Sequence, residues 1–154
     1  MTTSSTDRIE KKTVLRAPRS RVWRAIADAR EFGAWFGVSL EGSFSPGAHV
    51  RGKITNKGYE HITMEIWIEK VEAERFFSYR WHPFAIDPNV DYSGEKTTLV
   101  EFSLADAEGG TLLTITESGF DAVPAARRAK ALEMNSKGWG TQITQIERFL
   151  ADAK

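Results

Sequence analysis

Residues 124–150 read PAARRAKALEMNSKGWGTQITQIERFL, and this stretch decides the fold. It predicts one long helix, because its apolar side chains recur at helical spacing along a single face. The members of that stripe are Leu132, Trp139, Ile143, Ile146 and Leu150. Alanines with high helix propensity fill the first turns, after a proline at a position that helices tolerate. A helix with an apolar stripe over its whole length needs a broad apolar surface to pack on.

Two glycines interrupt the middle of this helix, one on each side of Trp139. Each interior glycine costs about 1 kcal/mol relative to alanine, so Gly138 and Gly140 call for a structural reason. We expect either a segment that passes close to the helix backbone or a bend of the helix at this point.

The preceding part of the chain alternates apolar and polar residues in short stretches separated by turn signals, which is the pattern of strands. A first strand at 10–16 is followed by two short helices, one that opens at Pro18 or Ser20 and one over 30–37. Further strands are predicted over 48–55, 62–69, 75–81, 97–104 and 111–117. Consecutive strands joined by short turns form antiparallel sheets, and helices at the two ends of such a run indicate an α+β fold.

We therefore predict a curved antiparallel sheet of about six to seven strands that grips the long C-terminal helix, with two short helices after the first strand. The Ser/Thr-rich residues 1–7 are predicted to be a disordered tail, and residues 8–154 to form one domain.

Charge and composition argue against several classes of function. Lysine plus arginine and aspartate plus glutamate number 21 each, so general nucleic-acid binding is not expected. The sequence has no cysteine, which removes disulfides and cysteine nucleophiles or ligands. No signal peptide or long apolar run is present, so we expect a cytoplasmic protein without a membrane partner.

Several local motifs resemble those of the START-like (SRPBCC, helix-grip, birch-pollen-allergen-like) superfamily. Within it the chain is similar to the heat-shock-protein-ninety ATPase activator homologue family, in its small bacterial single-domain form. The motifs lie at 17–26, 35–36, 74–81, 97–102, 110–120 and 138–139. The resemblance runs from about residue 8 to the C-terminus and implies a ligand-binding domain whose sheet and long helix enclose a cavity for small apolar molecules. Because the family takes its name from a co-chaperone, it also implies a chaperone as a possible partner.

The candidate ligand-binding residues are aromatic or polar side chains expected to face that cavity. They are Trp35, Phe36, Met64, Tyr79, Trp81, Glu117, Phe120, Met134, Asn135 and Trp139. Alternation places Glu117 on the same face as Leu113 and Ile115, and a buried carboxylate must be paired or have a raised pKa. Two alternatives stay open: the aromatic residues are ordinary core, and Glu117 lies in solvent at the end of its strand.

The predicted function is the binding of a small apolar or aromatic molecule, of about small-drug size, between sheet and helix. Trp35 and Phe36 could form a lid with Gly33 and Gly37 as hinges. An enzyme of the cyclase or hydrolase type, with Glu117, His82 or Tyr79 as acid or base, is an alternative, as is a chaperone-binding module. The three histidines lack the spacing of metal ligands, so neither a metal nor a cofactor is expected. A monomer or a homodimer would both fit.

Overall fold

The computed structural model describes residues 7–87 and 89–152. Seven strands, three α-helices and one 3-10 turn follow one another along the chain. They are β1 (Arg8–Leu15), α1 (Arg19–Ala27), α2 (Ala29–Phe36), β2 (Val38–Glu41), β3 (His49–Ile54), β4 (Thr63–Glu72), β5 (Phe76–Trp81), β6 (Thr98–Ala107), β7 (Gly110–Ser118), the 3-10 turn Phe120–Ala122 and α3 (Ala125–Asp152).

All seven strands belong to one antiparallel sheet, whose order is β1-β7-β6-β5-β4-β3-β2. Each strand from β2 to β6 pairs with the next in sequence, and β1 lies at the far edge of the sheet, paired with β7. A register shift between Ile68 and Lys70 interrupts the β4–β5 ladder, and such irregularities bend a strand. The predicted α+β fold, an open curved sheet with a long C-terminal helix and two short helices after β1, is confirmed.

Helix α3 packs with the predicted stripe toward the interior. Trp139 and Ile146 are buried, and Leu132, Ile143 and Leu150 pack half-buried against the same core. At about 1.5 Å per residue, its 28 residues extend for about 42 Å. The carbonyl of Pro124 accepts from the first turn of the helix, through the N–H groups of Arg127 and Arg128. The apolar stripe therefore packs α3 against the core.

The expectation of a segment close to Gly138 and Gly140 is wrong. A Cβ atom built on either residue would meet no heavy atom within 4 Å, and both residues are exposed. No described part of the chain therefore requires the absence of a Cβ atom at either position.

The apolar face of the sheet carries large side chains that are completely buried. Phe77 and Tyr79 of β5 contact Phe102 of β6, with ring centroids 5.9 and 6.2 Å apart. Phe32 of α2 completes this group, with centroids 6.3 Å from both Tyr79 and Phe102. These four rings fill the space between the middle of the sheet and the short helices.

The N-terminal end of the described chain is held to the end of β7. The carbonyl of Asp7 accepts from the N–H groups of Gly119 and Phe120, and its carboxylate accepts from the N–H of Asp121. The rest of the predicted tail, residues 1–6, lies outside the described residues. Within the described ranges, no helix combines the length and the apolar character needed to span a membrane.

Candidate functional site

Glu117 lies on β7, and its side chain is 0% exposed. The strand register explains its position: Glu117 is opposite Val100 on β6, and Val100 is opposite Tyr79 on β5. Because side chains two residues apart share a face, Thr98 and Trp81 project on the same side of the sheet. The burial predicted from alternation with Leu113 and Ile115 is therefore observed, and the alternative of a solvent-exposed strand end is wrong.

Four side chains donate hydrogen bonds to the Glu117 carboxylate. The indole N–H of Trp139 donates to Oε1 over 2.8 Å, and that of Trp81 donates to Oε2 over 2.8 Å. The hydroxyl of Thr98 donates to Oε2 over 2.6 Å. The Nδ2 of Asn135 lies 3.0 Å from Oε1 and 3.1 Å from Oε2. The donors come from β5, β6 and α3, which therefore converge on one group of β7.

The donors to Glu117 are all neutral. Indole and amide N–H groups can only donate, so both carboxylate oxygens act as acceptors. Among the ion pairs of the described residues, none includes Glu117. Burying a carboxylate is costly unless hydrogen bonds replace its hydration, and here dipoles rather than a cation replace it.

A small pocket of about 80 Å³ lies beside this carboxylate, between α2, β5 and α3. Its lining residues are Phe36, Trp81, Met134, Asn135, Gly138, Trp139 and Gln142. The three aromatic rings contact one another, with centroids 6.1 Å apart for Phe36 and Trp81, 6.0 Å for Phe36 and Trp139, and 5.8 Å for Trp81 and Trp139. Trp81, Asn135 and Trp139 both line the pocket and contact Glu117, so one layer of side chains separates the pocket from the carboxylate.

The structure brings together part of the set predicted from the sequence. Phe36, Trp81, Met134, Asn135 and Trp139 line the pocket, and Glu117 lies directly behind it. The other four predicted residues do not line it: Trp35, Met64, Tyr79 and Phe120 are buried elsewhere in the core. For these four, the alternative interpretation as core residues describes what is observed.

The predicted size of the cavity is wrong for this site. A pocket for a drug-sized ligand usually measures about 300–1,000 Å³. The volume beside Tyr79 that was expected to be open is occupied by Phe32, Phe77 and Phe102. A larger groove of about 500 Å³ lies along α3, lined by Arg128, Ala129, Leu132, Glu133 and Ser136, and contains none of the predicted residues.

Helix α2, the predicted lid, is held in place by close contacts. The indole N–H of Trp35 donates to the carbonyl of Ala25 over 2.8 Å, which joins α2 to α1. A Cβ on Gly33 would lie 2.2 Å from the carbonyl oxygen of Val38, so this glycine is required for close packing with β2. Gly37 ends α2 in the left-handed conformation, with φ 95°. Of the two residues predicted to form a lid, Phe36 lines the pocket and Trp35 does not.

Two polar groups near the site have no hydrogen-bond partner among the described residues. One is the hydroxyl of Tyr79, and the other is Oε1 of Gln142. Burial, followed by the charge of Glu117, raises the pKa of Tyr79 well above its ordinary value. Gln142 donates from Nε2 to the carbonyl of Phe36 over 3.0 Å, which orients its Oε1 as the free acceptor.

Sequence reasoning missed Thr98 and Gln142. Thr98 could have been found, because it alternates with Val100 and Phe102 on the face that carries the site. Gln142 follows Trp139 by three residues on α3, so helical periodicity places both on one side. Its role depends on the docking of α2 against α3, which no local pattern shows.

None of the histidines described here lines the pocket. His82, a candidate acid or base, has its Nε2 3.0 Å from the carbonyl oxygen of Glu95 and does not line the pocket. His49 stacks on Trp67, with centroids 4.7 Å apart, and its Nε2 contacts Glu65. In the part of the chain that the structure describes, no group of three or more histidine, aspartate or glutamate residues could hold a metal ion.

Residues 16–151 match the family described as Activator of Hsp90 ATPase homolog 1-like protein. The chain belongs to this family. A search of curated proteins found no match to the chain. The family match confirms the resemblance that the sequence motifs indicated, including the START-like fold.

Solved bacterial structures share the fold of this family member. Protein MLL2253 from Mesorhizobium loti is 18% identical, with a TM-score of 0.75 over 96% of this chain and 98% of that one. Protein NE0264 from Nitrosomonas europaea is 21% identical, with a TM-score of 0.75 over 100% of both chains. The Aha1 dimer from Colwellia psychrerythraea is 14% identical, with a TM-score of 0.68 over 91% of this chain and 92% of that one. At these identities the likeness concerns the fold alone.

Proposed function

We propose that this protein binds a small apolar or aromatic molecule in the pocket between α2, β5 and α3. The observation that carries the proposal is the combination of an aromatic lining with a buried, fully hydrogen-bonded carboxylate directly behind it. Binding sites are typically apolar concavities with a few convergent polar groups, and this pocket has that composition.

The pocket volume limits what part of a ligand can enter. About 80 Å³ accommodates roughly one six-membered ring or a short branched alkyl group. Gly138 lines the pocket and is itself exposed, so the opening lies on the α3 side. A ligand longer than one ring would insert its apolar end and extend past Gly138 into solvent.

The geometry supports binding better than catalysis. A general base must have a lone pair free to take a proton from the substrate. Both oxygens of Glu117 already accept from side chains of the protein, and Tyr79 does not line the pocket. His82 is hydrogen-bonded elsewhere. The enzyme alternative is therefore not favoured by any contact in the site.

The test uses the two glycines of α3 as a matched pair. A Cβ atom added at either position meets no neighbour within 4 Å, but only Gly138 lines the pocket. We expect Gly138→Leu to block the pocket and Gly140→Leu to leave it open. In a titration with benzyl alcohol, 4-methylphenol and indole, followed by tryptophan fluorescence, the wild type and Gly140→Leu should show saturable changes. Gly138→Leu should lose them. Equal titration curves for the two variants, or no binding of any compound below about 10 mM, would contradict the proposal.

The family description favours one further candidate, a chaperone partner. Its wording refers to activation of the Hsp90 ATPase, and we propose contact with a chaperone of that class as the second function. The test is the ATPase rate of a purified bacterial chaperone of the Hsp90 class with and without this protein. A rise that saturates with added protein would support it, and an unchanged rate at about 0.1 mM would contradict it.

The Colwellia relative is described as a dimer, so we propose that this chain is either a monomer or a homodimer. Light scattering over a concentration series would distinguish the two states. A larger assembly would contradict both.

A further inference from the structure

One polar group of the pocket lining is a hydrogen-bond acceptor that has no donor among the described residues. Gln142 lines the pocket, and its Oε1 has no partner among the described residues. Its Nε2 is already used by the carbonyl of Phe36. A buried acceptor that lacks a hydrogen bond costs about 1–3 kcal/mol, and a donor on a bound ligand would remove that cost.

The carboxylate behind the pocket adds a negative charge that no cation in the described chain neutralises at contact distance. Trp81, Trp139 and Asn135 hold Glu117 on one side and line the pocket on the other. Hydrogen bonds from neutral groups stabilise such a charge but do not cancel it. Because the protein interior has low polarity, the electric field of the charge is weakly screened over a few ångströms. The pocket is therefore at negative potential.

The aromatic lining acts in the same direction. The faces of tryptophan and phenylalanine rings attract cations, and tryptophan does so most strongly. Both indoles of the pocket donate their N–H to the same carboxylate, and donation to an anion increases the electron density on the ring. Phe36 contributes a third ring in contact with both.

We propose that this pocket selects small organic cations, in particular protonated amines with an alkyl or aryl group, over neutral molecules of the same shape. The inference rests on the proposed ligand-binding function and names the class of ligand. The N–H of the ammonium group would donate to Oε1 of Gln142, and its charge would lie against the rings of Phe36, Trp81 and Trp139, one side chain away from Glu117.

The experiment compares benzylamine, which is protonated at pH 7, with benzyl alcohol, its neutral isostere. Both are titrated into the full chain at about 0.15 M salt by tryptophan fluorescence and calorimetry, because salt screens long-range attraction to the surface. We expect benzylamine to bind at least tenfold more tightly. If the alcohol binds as tightly as the amine, the cation inference is wrong and the ligand-binding proposal stands. If neither compound binds, the cation inference is wrong, and the titrations with 4-methylphenol and indole decide the ligand-binding proposal.

Three variants locate the contact. Gln142→Leu removes the free acceptor and should reduce the preference for benzylamine severalfold. Gln142→Glu places a charge at the same position and should increase it. Gln145→Glu adds the same charge to the same helix at a residue that does not line the pocket, and should leave the preference unchanged. An equal increase in the two glutamate variants would overturn the assignment to Gln142.

Glu117→Gln tests the contribution of the buried charge. If this variant folds, the preference for benzylamine over benzyl alcohol should fall at least threefold, and an unchanged preference would overturn the role assigned to the carboxylate. If it does not fold, the isostere comparison in the wild type and the Gln142 variants still decide the proposal.

Discussion

The indole N–H of Trp139 lies 2.8 Å from Oε1 of Glu117, and this hydrogen bond joins the middle of α3 to β7. Trp139→Phe keeps most of the packing but leaves a buried carboxylate oxygen with one donor fewer, so we expect a loss of about 1–3 kcal/mol. Trp139→Ala also removes the ring and should cost about 3–5 kcal/mol. Urea unfolding measures both. Trp67→Phe, at a half-buried tryptophan that stacks on His49, is the control and should change the free energy of unfolding by less.

Glu117→Gln should destabilise the fold although it removes a buried charge. The amide N–H of the new glutamine would face groups that now donate hydrogen bonds to Glu117. We expect the free energy of unfolding to fall by about 2–4 kcal/mol. Glu108→Gln, in the exposed turn between β6 and β7, should be neutral.

A double-mutant cycle separates the energy of the hydrogen bond between Trp139 and Glu117 from the packing of the two side chains. Glu117→Gln and Trp139→Phe combined should cost less than the sum of the two single losses, with a coupling of about 0.5 kcal/mol or more. Additive losses would show that the contact between the two residues carries no energy of its own.

The buried hydroxyl of Tyr79 should make the stability of the protein depend on pH in the alkaline range. Below about pH 10, the ordinary pKa of tyrosine, folded and unfolded chains both hold the phenol proton, and stability does not depend on it. Above that pH the unfolded chain releases the proton, whereas burial and the charge of Glu117 keep the pKa raised in the folded chain. The free energy of unfolding should therefore decrease, by up to about 1.4 kcal/mol per pH unit.

Tyr79→Phe should flatten this alkaline decrease, and at pH 7 it should cost less than about 1 kcal/mol, because the hydroxyl has no partner to lose. The control is Tyr59→Phe, at a side chain that is 54% exposed. Urea unfolding between pH 8 and 11 provides the measurement, and parallel curves for wild type and Tyr79→Phe would contradict the prediction.

The effect of a glycine-to-alanine substitution on stability should depend on the space around the added Cβ atom. Gly140→Ala adds a methyl group to open solvent and removes backbone freedom from the unfolded chain, so the protein should gain about 0.5–1 kcal/mol. Gly52→Ala should destabilise, because its Cβ would lie 1.9 Å from the carbonyl oxygen of Ser39. Thermal unfolding of the two variants is sufficient, and a lower melting temperature for Gly140→Ala would show that this glycine has a structural role.

The sequence predicted most of the fold, because periodicity reports directly on which face of an element is buried. The stripe on α3 and the alternation that buries Glu117 are of this kind, and both are observed. The open space expected beside Tyr79 was not predictable, because alternation cannot tell whether facing side chains meet. Phe32, brought from α2, fills that space.

Part of the site could not be predicted from the sequence, because local patterns do not show contacts between elements that are distant in the chain. Gln142 became a pocket residue only through the docking of α2 on α3, which its hydrogen bond to Phe36 records. The two glycines of α3 gave a wrong expectation: an unfavourable helix residue often indicates a close contact, yet a Cβ on Gly138 or Gly140 would meet no heavy atom within 4 Å.

The convergence on Glu117 has a consequence for how the protein unfolds. Its donors stand 36, 19, 18 and 22 residues away in the chain, so each closes a different long loop on the same two oxygens. A partly assembled state, with α3 detached or β5 unpaired, would keep the carboxylate in apolar surroundings with fewer partners, and would be penalised accordingly. Intermediates between the native and the unfolded chain are thus disfavoured by one side chain. Amide hydrogens in the middle of α3 should then exchange with solvent only through global opening, while those at its ends exchange by fraying.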